Sequence, residues 1–344
     1  MILPLLEVKQ LNTYFGDTKA INIATKKGPN AANHSMIKVV DDVSFTINEG
    51  ETVGLVGESG SGKSTVGLSL MRLNSPRNSY STGEIHLSGR DIMTMSKKEL
   101  RELRGRDITM VLQDLTALNP VYSVGNQIEE AIRCHEFSAT EKLTSDQVKA
   151  RVIESLKMVN IPDPDSRVDS HPHQLSGGMR QRVVGAMALA CSPKLLIADE
   201  PTTALDVTVQ AQYLLLLKKL QKETGISILL ITHDFGVVAQ MCDRVCVMYA
   251  GQIVENAKAE SIFSNPAHWY TAALLKSMPS LSEKPSRLPS ILGSPPALNN
   301  LPTGCRFAER CERAEDKCRQ AVPPTTLLAS DHRVRCWFPR GHDE

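Results

Sequence analysis

Apolar and polar positions along this chain fall into short blocks that predict strands, helices and loops in alternation. Leu6, Val8 and Leu11 alternate loosely over residues 5–11 and predict a first strand running into Thr13-Tyr14-Phe15-Gly16. Residues 17–36 are polar, include Lys26-Lys27-Gly28-Pro29-Asn30, and read as an exposed loop. A second strand-rich stretch spans Ile37 to Ile47 and closes at Asn48-Glu49-Gly50-Glu51. Thr52-Val53-Gly54-Leu55-Val56 is apolar almost throughout, the pattern of a buried strand. Gly83 to Gly89 predicts another short strand, and Ser96-Lys97-Lys98-Glu99 resembles a capping box opening a charged helix to about Gly105. Ile108 to Leu112 is a buried strand ending at Gln113.

The pattern between Tyr122 and Asn160 is mostly helical, and Val148, Val152, Leu156 and Val159 form one core-facing stripe. Gln174 to Cys191 reads as a loop followed by a helix. Lys194 to Glu200 is a buried strand ending in two acids, Val207 to Thr224 a helix, and Ser227 to Thr232 the next buried strand. Continuous apolar strands alternating with helices predict an α/β fold with a largely parallel sheet. After about residue 260 proline becomes frequent, periodicity fades, and four of the eight cysteines appear.

Composition narrows the functional classes. The 344 residues leave room for one large domain with an appendage, or for two domains. A net charge of +1 announces no nucleic-acid or membrane-surface patch, and 4% aromatic residues argue against base-stacking platforms. No apolar run approaches the roughly 18 residues needed to span a bilayer. The first residues lack a basic lead and break into charge early, so no secretion signal is expected. A cytosolic chain is expected, and cysteines there point to buried thiols or a metal site rather than disulfides.

Gly57-Glu58-Ser59-Gly60-Ser61-Gly62-Lys63-Ser64-Thr65 reads G-x-x-x-x-G-K-[ST] between a predicted strand and a predicted helix. Such glycines let backbone N–H groups turn onto phosphates, and the helix start adds partial positive charge. Lys63 is placed to reach the β- and γ-phosphates, and Ser64 to put its hydroxyl on magnesium. Asp199 ends an apolar strand, where a carboxylate can help hold magnesium, and Glu200 beside it can polarise an attacking water. Leu175-Ser176-Gly177-Gly178-Met179 exposes N–H groups and a hydroxyl at a helix start; alone it could be only a helix cap.

Taken together, these motifs resemble the ATP-binding-cassette (ABC) family, in order and in spacing. The resemblance covers the phosphate loop at 57–65, Gln113 as the glutamine-loop residue, the signature at 175–179 and Asp199–Glu200 as the second nucleotide motif. It extends to Ala204-Leu205-Asp206 as the D-loop and His233 as the switch histidine. It implies a RecA-like parallel-sheet core, an antiparallel β subdomain and a helical subdomain over about 114–190. It also implies that Phe15, or else Tyr14, stacks on adenine, that His233 contacts the γ-phosphate, and that Gln113 senses magnesium and the attacking water. In that family two cassettes close head-to-tail, so that each ATP lies between one chain's phosphate loop and the signature of the other, and Asp206 is expected among the nucleotide-binding residues.

Finer resemblances point to the ATPase subunits of bacterial dipeptide and oligopeptide importers. They lie in Gln174 to Arg182, Ile197 to Thr208, Val247-Met248-Tyr249-Ala250-Gly251, His268-Trp269-Tyr270-Thr271, and Leu301 onward. The implied organisation is a nucleotide-binding domain over 1–260 and a peptide-transporter-type extension over 261–344. The implied partners are a second, paralogous ATPase chain, two transmembrane permease subunits and an extracytoplasmic solute-binding protein, at the cytoplasmic face of the bacterial inner membrane. Gln113 to Pro120 departs from the family pattern, lacking a proline after Gln-Asp and being one residue shorter, and the loop at 17–36 looks longer than usual.

Cys305, Cys311, Cys318 and Cys336 lie in a segment with little core of its own, where four thiols could ligate a metal or stay free. Their spacing matches neither zinc-finger nor ferredoxin patterns. The family resemblance implies a four-iron, four-sulfur cluster, with zinc as the alternative. Cys134, Cys191, Cys242 and Cys246 are expected in the core. Three other readings remain: an importer ATPase for nickel or another small solute, a soluble ABC ATPase of DNA repair or translation, and a metal-binding regulatory module. The short gap from Ser64 to Ser176, without sustained heptads, disfavours the soluble ATPase.

Overall fold

The computed structural model describes residues 3–29, 36–112, 117–136, 143–203, 205–278 and 290–341. The chain order opens with β1 (Leu6–Gly16), α1 (Thr18–Lys27), β2 (Met36–Ile47), β3 (Thr52–Val56), α2 (Lys63–Leu70), β4 (Ser79–Leu87) and β5 (Arg90–Asp91). It continues with α3 (Lys97–Leu103), β6 (Ile108–Val111), α4 (Val124–Glu136), α5 (Ser145–Met158), α6 (Pro164–Arg167), α7 (Gly177–Leu189) and β7 (Leu195–Asp199). Next come α8 (Val207–Thr224), β8 (Ser227–Thr232), α9 (Phe235–Met241), β9 (Arg244–Tyr249) and β10 (Gln252–Lys258). The C-terminal part holds α10 (Ala259–Ser264), α11 (Trp269–Lys276), α12 (Asp316–Gln320), β11 (Thr325–Ala329) and β12 (His332–Arg335). Among the described residues, no helix is long and apolar enough to cross a membrane.

Two compact units divide these elements. One comprises residues 1–47, 52–93 and 231–344, the other 48–51 with 94–230.

In the first unit, β1 pairs antiparallel with both β2 and β4, and β4 with β5. Leu6, Val8 and Leu11 of β1 are buried, as are Val43, Phe45 and Ile47 of β2 and Ile85 and Leu87 of β4. The first strand therefore runs past the predicted 5–11 to Gly16. The polar stretch after it is not only a loop, because α1 occupies Thr18–Lys27. Asp17 caps that helix by accepting the Ala20 N–H at 2.7 Å, and Ala20, Ile21 and Ala24 form a buried stripe at helical spacing. Lysines around this narrow stripe hid it in the sequence.

β3 pairs in parallel with β9, and β9 turns back antiparallel onto β10. The hairpin β11–β12 then joins antiparallel to β10, at Glu255↔Val334 and Asn256↔Arg333. Glu255 is 1% exposed, yet its carboxylate is satisfied. It accepts the Ala267 N–H at 2.6 Å, the His268 N–H at 2.9 Å and, across the hairpin, lies 2.8 Å from His332 Nε2. The proline-rich C-terminal part, expected to have little core of its own, packs into the core of its unit. Phe307 is 2% exposed and packs edge-on against Tyr249 at 5.3 Å.

In the second unit, β6 pairs in parallel with β7, and α4, α5 and α7 pack together. Thr144 and Gln147 form a capping box at the start of α5, and Val148, Val152, Leu156 and Val159 are all buried, as their spacing predicts. α8 begins at its Asp206 cap and stops at Gly225, matching the predicted span. Of the four cysteines expected in the core, Cys246 is buried, Cys191 and Cys242 are half-buried, and Cys134 is exposed. Cys134 lies near the end of α4, on the face away from buried Ile128 and Ile132.

Candidate functional site

The phosphate-loop motif is built on β3, whose five residues are all buried. The chain leaves that strand at Gly57, where φ is +154° and a Cβ would lie 2.1 Å from the Met248 carbonyl oxygen. Only glycine fits there. The loop then runs through Ser59, Gly60 and Ser61 to Gly62, the cap of α2, and the helix opens with Lys63, Ser64 and Thr65. Lys63 is 5% exposed, and its Nζ donates to the Gly57 carbonyl at 2.8 Å and the Glu58 carbonyl at 3.0 Å. A buried ammonium is thereby held over the hollow of its own loop. Ser61 is 4% exposed, and its buried Oγ has no hydrogen-bond partner among the described residues. An orphaned hydroxyl, a buried cation and a helix start at one turn suit a polyphosphate.

The loop is also held from outside. The Glu58 N–H donates to the Tyr270 hydroxyl at 2.9 Å, and Gly251 N–H donates to the Ser61 carbonyl at 2.9 Å. Arg310 grips the Glu58 carboxylate at both oxygens, at 2.7 and 2.9 Å. That carboxylate holds Arg310 more firmly protonated than usual. No local signal could have found this pair, whose members lie 252 residues apart.

Elsewhere in the first unit, Phe15 is half-buried at the end of β1. Tyr14 beside it has its ring 6.5 Å from that of Tyr80, with the Lys38 ammonium 5.6 Å above. His233 is exposed directly after β8, before the Asp234 cap of α9.

The second unit holds the other nucleotide motifs. β7 is buried throughout and delivers Asp199, 5% exposed, to its end. Glu200 follows with φ +46°, a left-handed backbone uncommon for a non-glycine residue, and accepts the Thr203 hydroxyl at 2.9 Å. Ser176 caps α7 by accepting the Met179 N–H at 3.3 Å. Gly177 and Gly178 form the first turn, and a Cβ on Gly177 would meet nothing within 4 Å. Asp206 caps α8, accepting the Val209 N–H at 3.0 Å. Gln181, which the motif reading passed over, donates to the Pro201 carbonyl at 2.9 Å, tying the signature helix to the turn after Glu200. A polar residue among the buried positions of α7 was its only signal. Gln113 and Ala204 lie outside the described residues.

Cys305, Cys311, Cys318 and Cys336 converge around one small cavity of about 10 Å³, with His268 and Trp337 also in its wall. Burial first, then the neighbouring thiols, pushes Cys311 up to about 11 and Cys336 up to about 12. Burial holds His268 down at about 4, hence neutral. The donor chemistry suits a thiophilic metal. The spacing does not: among the described residues, no group of three or more Cys, His, Asp or Glu side chains is disposed to hold a metal ion.

Residues 40–203 match the family described as ABC transporter, and residues 254–318 match the oligopeptide/dipeptide transporter C-terminal region. The dipeptide transport ATP-binding protein DppD of Haemophilus influenzae is 48% identical over 97% of this chain and 96% of its own. The chain belongs to the ABC transporter family. DppD of Escherichia coli is 44% identical to this cassette over 97% of each chain. Among solved structures, the dimeric cassette MJ0796 bound to ADP and Pi superposes with a TM-score of 0.60 at 28% identity, covering 74% of this chain and 98% of that one. The cassette is an ATPase of the ABC type.

Proposed function

We propose that this chain is the ATP-hydrolysing subunit that powers import of dipeptides or oligopeptides through a membrane transporter. The observation that carries this reading is a phosphate loop of this geometry in a chain similar, over nearly its whole length, to dipeptide transport ATP-binding proteins. Residues 1–260 form the nucleotide-binding domain, with a helical subdomain over about 114–190, and residues 261–344 the extension. Phe15 stacks on adenine; Gly57 and Ser59 to Thr65 bind the phosphates. Ser64, Asp199 and Gln113 hold magnesium, which when bound neutralises charge on the transferring phosphoryl group. Glu200 takes a proton from the attacking water, and His233 contacts the γ-phosphate.

Ser176, Gly177 and Gly178 serve the ATP of a second cassette, and Asp206 of the D-loop also binds nucleotide. Two cassettes, paralogous chains, therefore work as a dimer on two permease subunits supplied by an extracytoplasmic solute-binding protein. The chain sits at the cytoplasmic face of the inner membrane. The alternative of nickel or another small solute as cargo is not favoured, because the relatives are dipeptide transport and peptide import ATP-binding proteins. We propose further, on the family resemblance and not on the geometry, that Cys305, Cys311, Cys318 and Cys336 are the ligands of a soft metal. The family resemblance favours a four-iron, four-sulfur cluster, with zinc as the alternative.

The test is to tag the chain and its Glu200→Gln variant, purify both in mild detergent from their own host, and identify co-purifying subunits and small ligands by mass spectrometry. Two cassette chains on two membrane proteins, with short peptides on a binding protein, are expected. The variant should bind ATP but hydrolyse it at least about a hundredfold more slowly. A metal chelate as cargo would change the substrate; a soluble complex without membrane subunits would overturn the transport reading; normal turnover by the variant would remove Glu200 from its role.

A further inference from the structure

Glu58, the second residue of the phosphate loop, is held at three places at once. Its N–H donates to Tyr270, its carbonyl accepts Lys63 Nζ, and its carboxylate accepts both outer nitrogens of Arg310. Arg310 is itself immobilised: its side chain is 5% exposed, and its guanidinium lies 5.7 Å from the Tyr249 ring centre and 5.9 Å from that of Phe307. It also donates to the Tyr249 hydroxyl at 3.2 Å and the Leu292 carbonyl at 3.0 Å. A planar fork on a carboxylate, largely out of water, fixes orientation as well as distance. Arg310 directly precedes Cys311, so the thiol-lined segment and the phosphate loop meet through this one side chain.

We propose that Arg310 is a positioning residue for nucleotide binding. Its grip on Glu58 presets the carbonyl on which Lys63 rests, and with it the place where the Lys63 ammonium and the loop meet the β-phosphate of a nucleotide. The rival role, a staple that only fastens the C-terminal segment to its unit, uses the same contacts and differs in what it controls. A staple alters stability alone; a positioning residue alters affinity too. The proposal rests on the reading of residues 57–65 as a nucleotide site.

The test uses the full-length chain and MgADP, which does not turn over, with calorimetric Kd values and thermal unfolding without nucleotide for wild type, Arg310→Gln, Arg310→Lys, Glu58→Gln and the Arg310→Gln/Glu58→Gln double variant. Arg310→Gln and Glu58→Gln should each weaken MgADP about tenfold, or about 1.4 kcal/mol. The double variant should be no weaker than the worse single variant, because both remove one pair. Arg310→Lys keeps the charge without the fork and should fall between. A lowered unfolding temperature with Kd values within twofold of wild type would overturn the positioning role. Should Arg310→Gln fail to fold, Arg310→Lys and Glu58→Gln decide by the same criterion. No MgADP binding by wild type would instead remove the nucleotide site, and this proposal with it.

Discussion

The phosphate loop and the cysteine-bearing segment belong to the same unit and touch at Glu58 and Arg310, yet they acquire their shapes in opposite ways. The loop is shaped mainly by near neighbours: a buried strand before it, a helix after it, glycine dihedrals within it, and a lysine that reaches back five and six residues. The segment is shaped by distant partners. Arg306 reaches the Ala250 carbonyl and Asp41, Trp269 donates to the Phe338 carbonyl, and His332 meets Glu255. Local shape is encoded by residue type at fixed spacing and survives as a motif. Distant shape is encoded by complementarity and leaves no spacing to read.

Three substitutions sharpen that contrast. The largest effect is expected from Gly57→Ala, which sets a methyl 2.1 Å from a backbone carbonyl oxygen that no side-chain motion can clear. It should remove MgADP binding and lower unfolding stability by about 3 kcal/mol in urea titrations. Cys311→Ser should have an intermediate effect. With the proposed cluster, protein purified without oxygen should lose a broad brown absorbance and its iron, and stability should fall by about 2 kcal/mol. Colourless, iron-free wild-type protein that binds zinc would replace the cluster with zinc. Gly60→Ala is expected to do least: its φ is +78°, but a Cβ there meets nothing within 4 Å. A cost of about 1 kcal/mol to stability is expected from the backbone alone, with MgADP affinity reduced but not abolished, as Gly60 lies in the proposed phosphate-binding loop. Equal effects of Gly57→Ala and Gly60→Ala would mean that dihedral preference, and not crowding, shapes the loop.

What could be read from the sequence follows the same division. β3, α8 and β8 occur where the sequence pattern predicts them, and the two strands do so because burial on both faces leaves a continuous apolar run. α1 was missed because its stripe of Ala20, Ile21 and Ala24 is small and surrounded by lysines, so polarity outweighed periodicity. Cys134 was misplaced because residue type alone does not say which side of a helix faces inward. Residue types at known offsets are also what assign Lys63, Asp199 and Glu200 their proposed roles. The contacts that hold their chain neighbours, Tyr270 and Arg310 on Glu58 and Gln181 on Pro201, are visible only in the folded chain.

The hairpin β11–β12 has a consequence for the unfinished chain. By pairing with β10 it covers a strand edge whose N–H and C=O groups would otherwise be offered sideways. During synthesis β10 is complete more than 60 residues before β12 exists. In that interval the growing protein carries an open edge able to recruit a strand from a neighbouring copy. The edge of β10 is therefore covered only late in synthesis, with β11 becoming the outer strand, and a chain cut short before Thr325 is expected to leave β10 unpaired on that side.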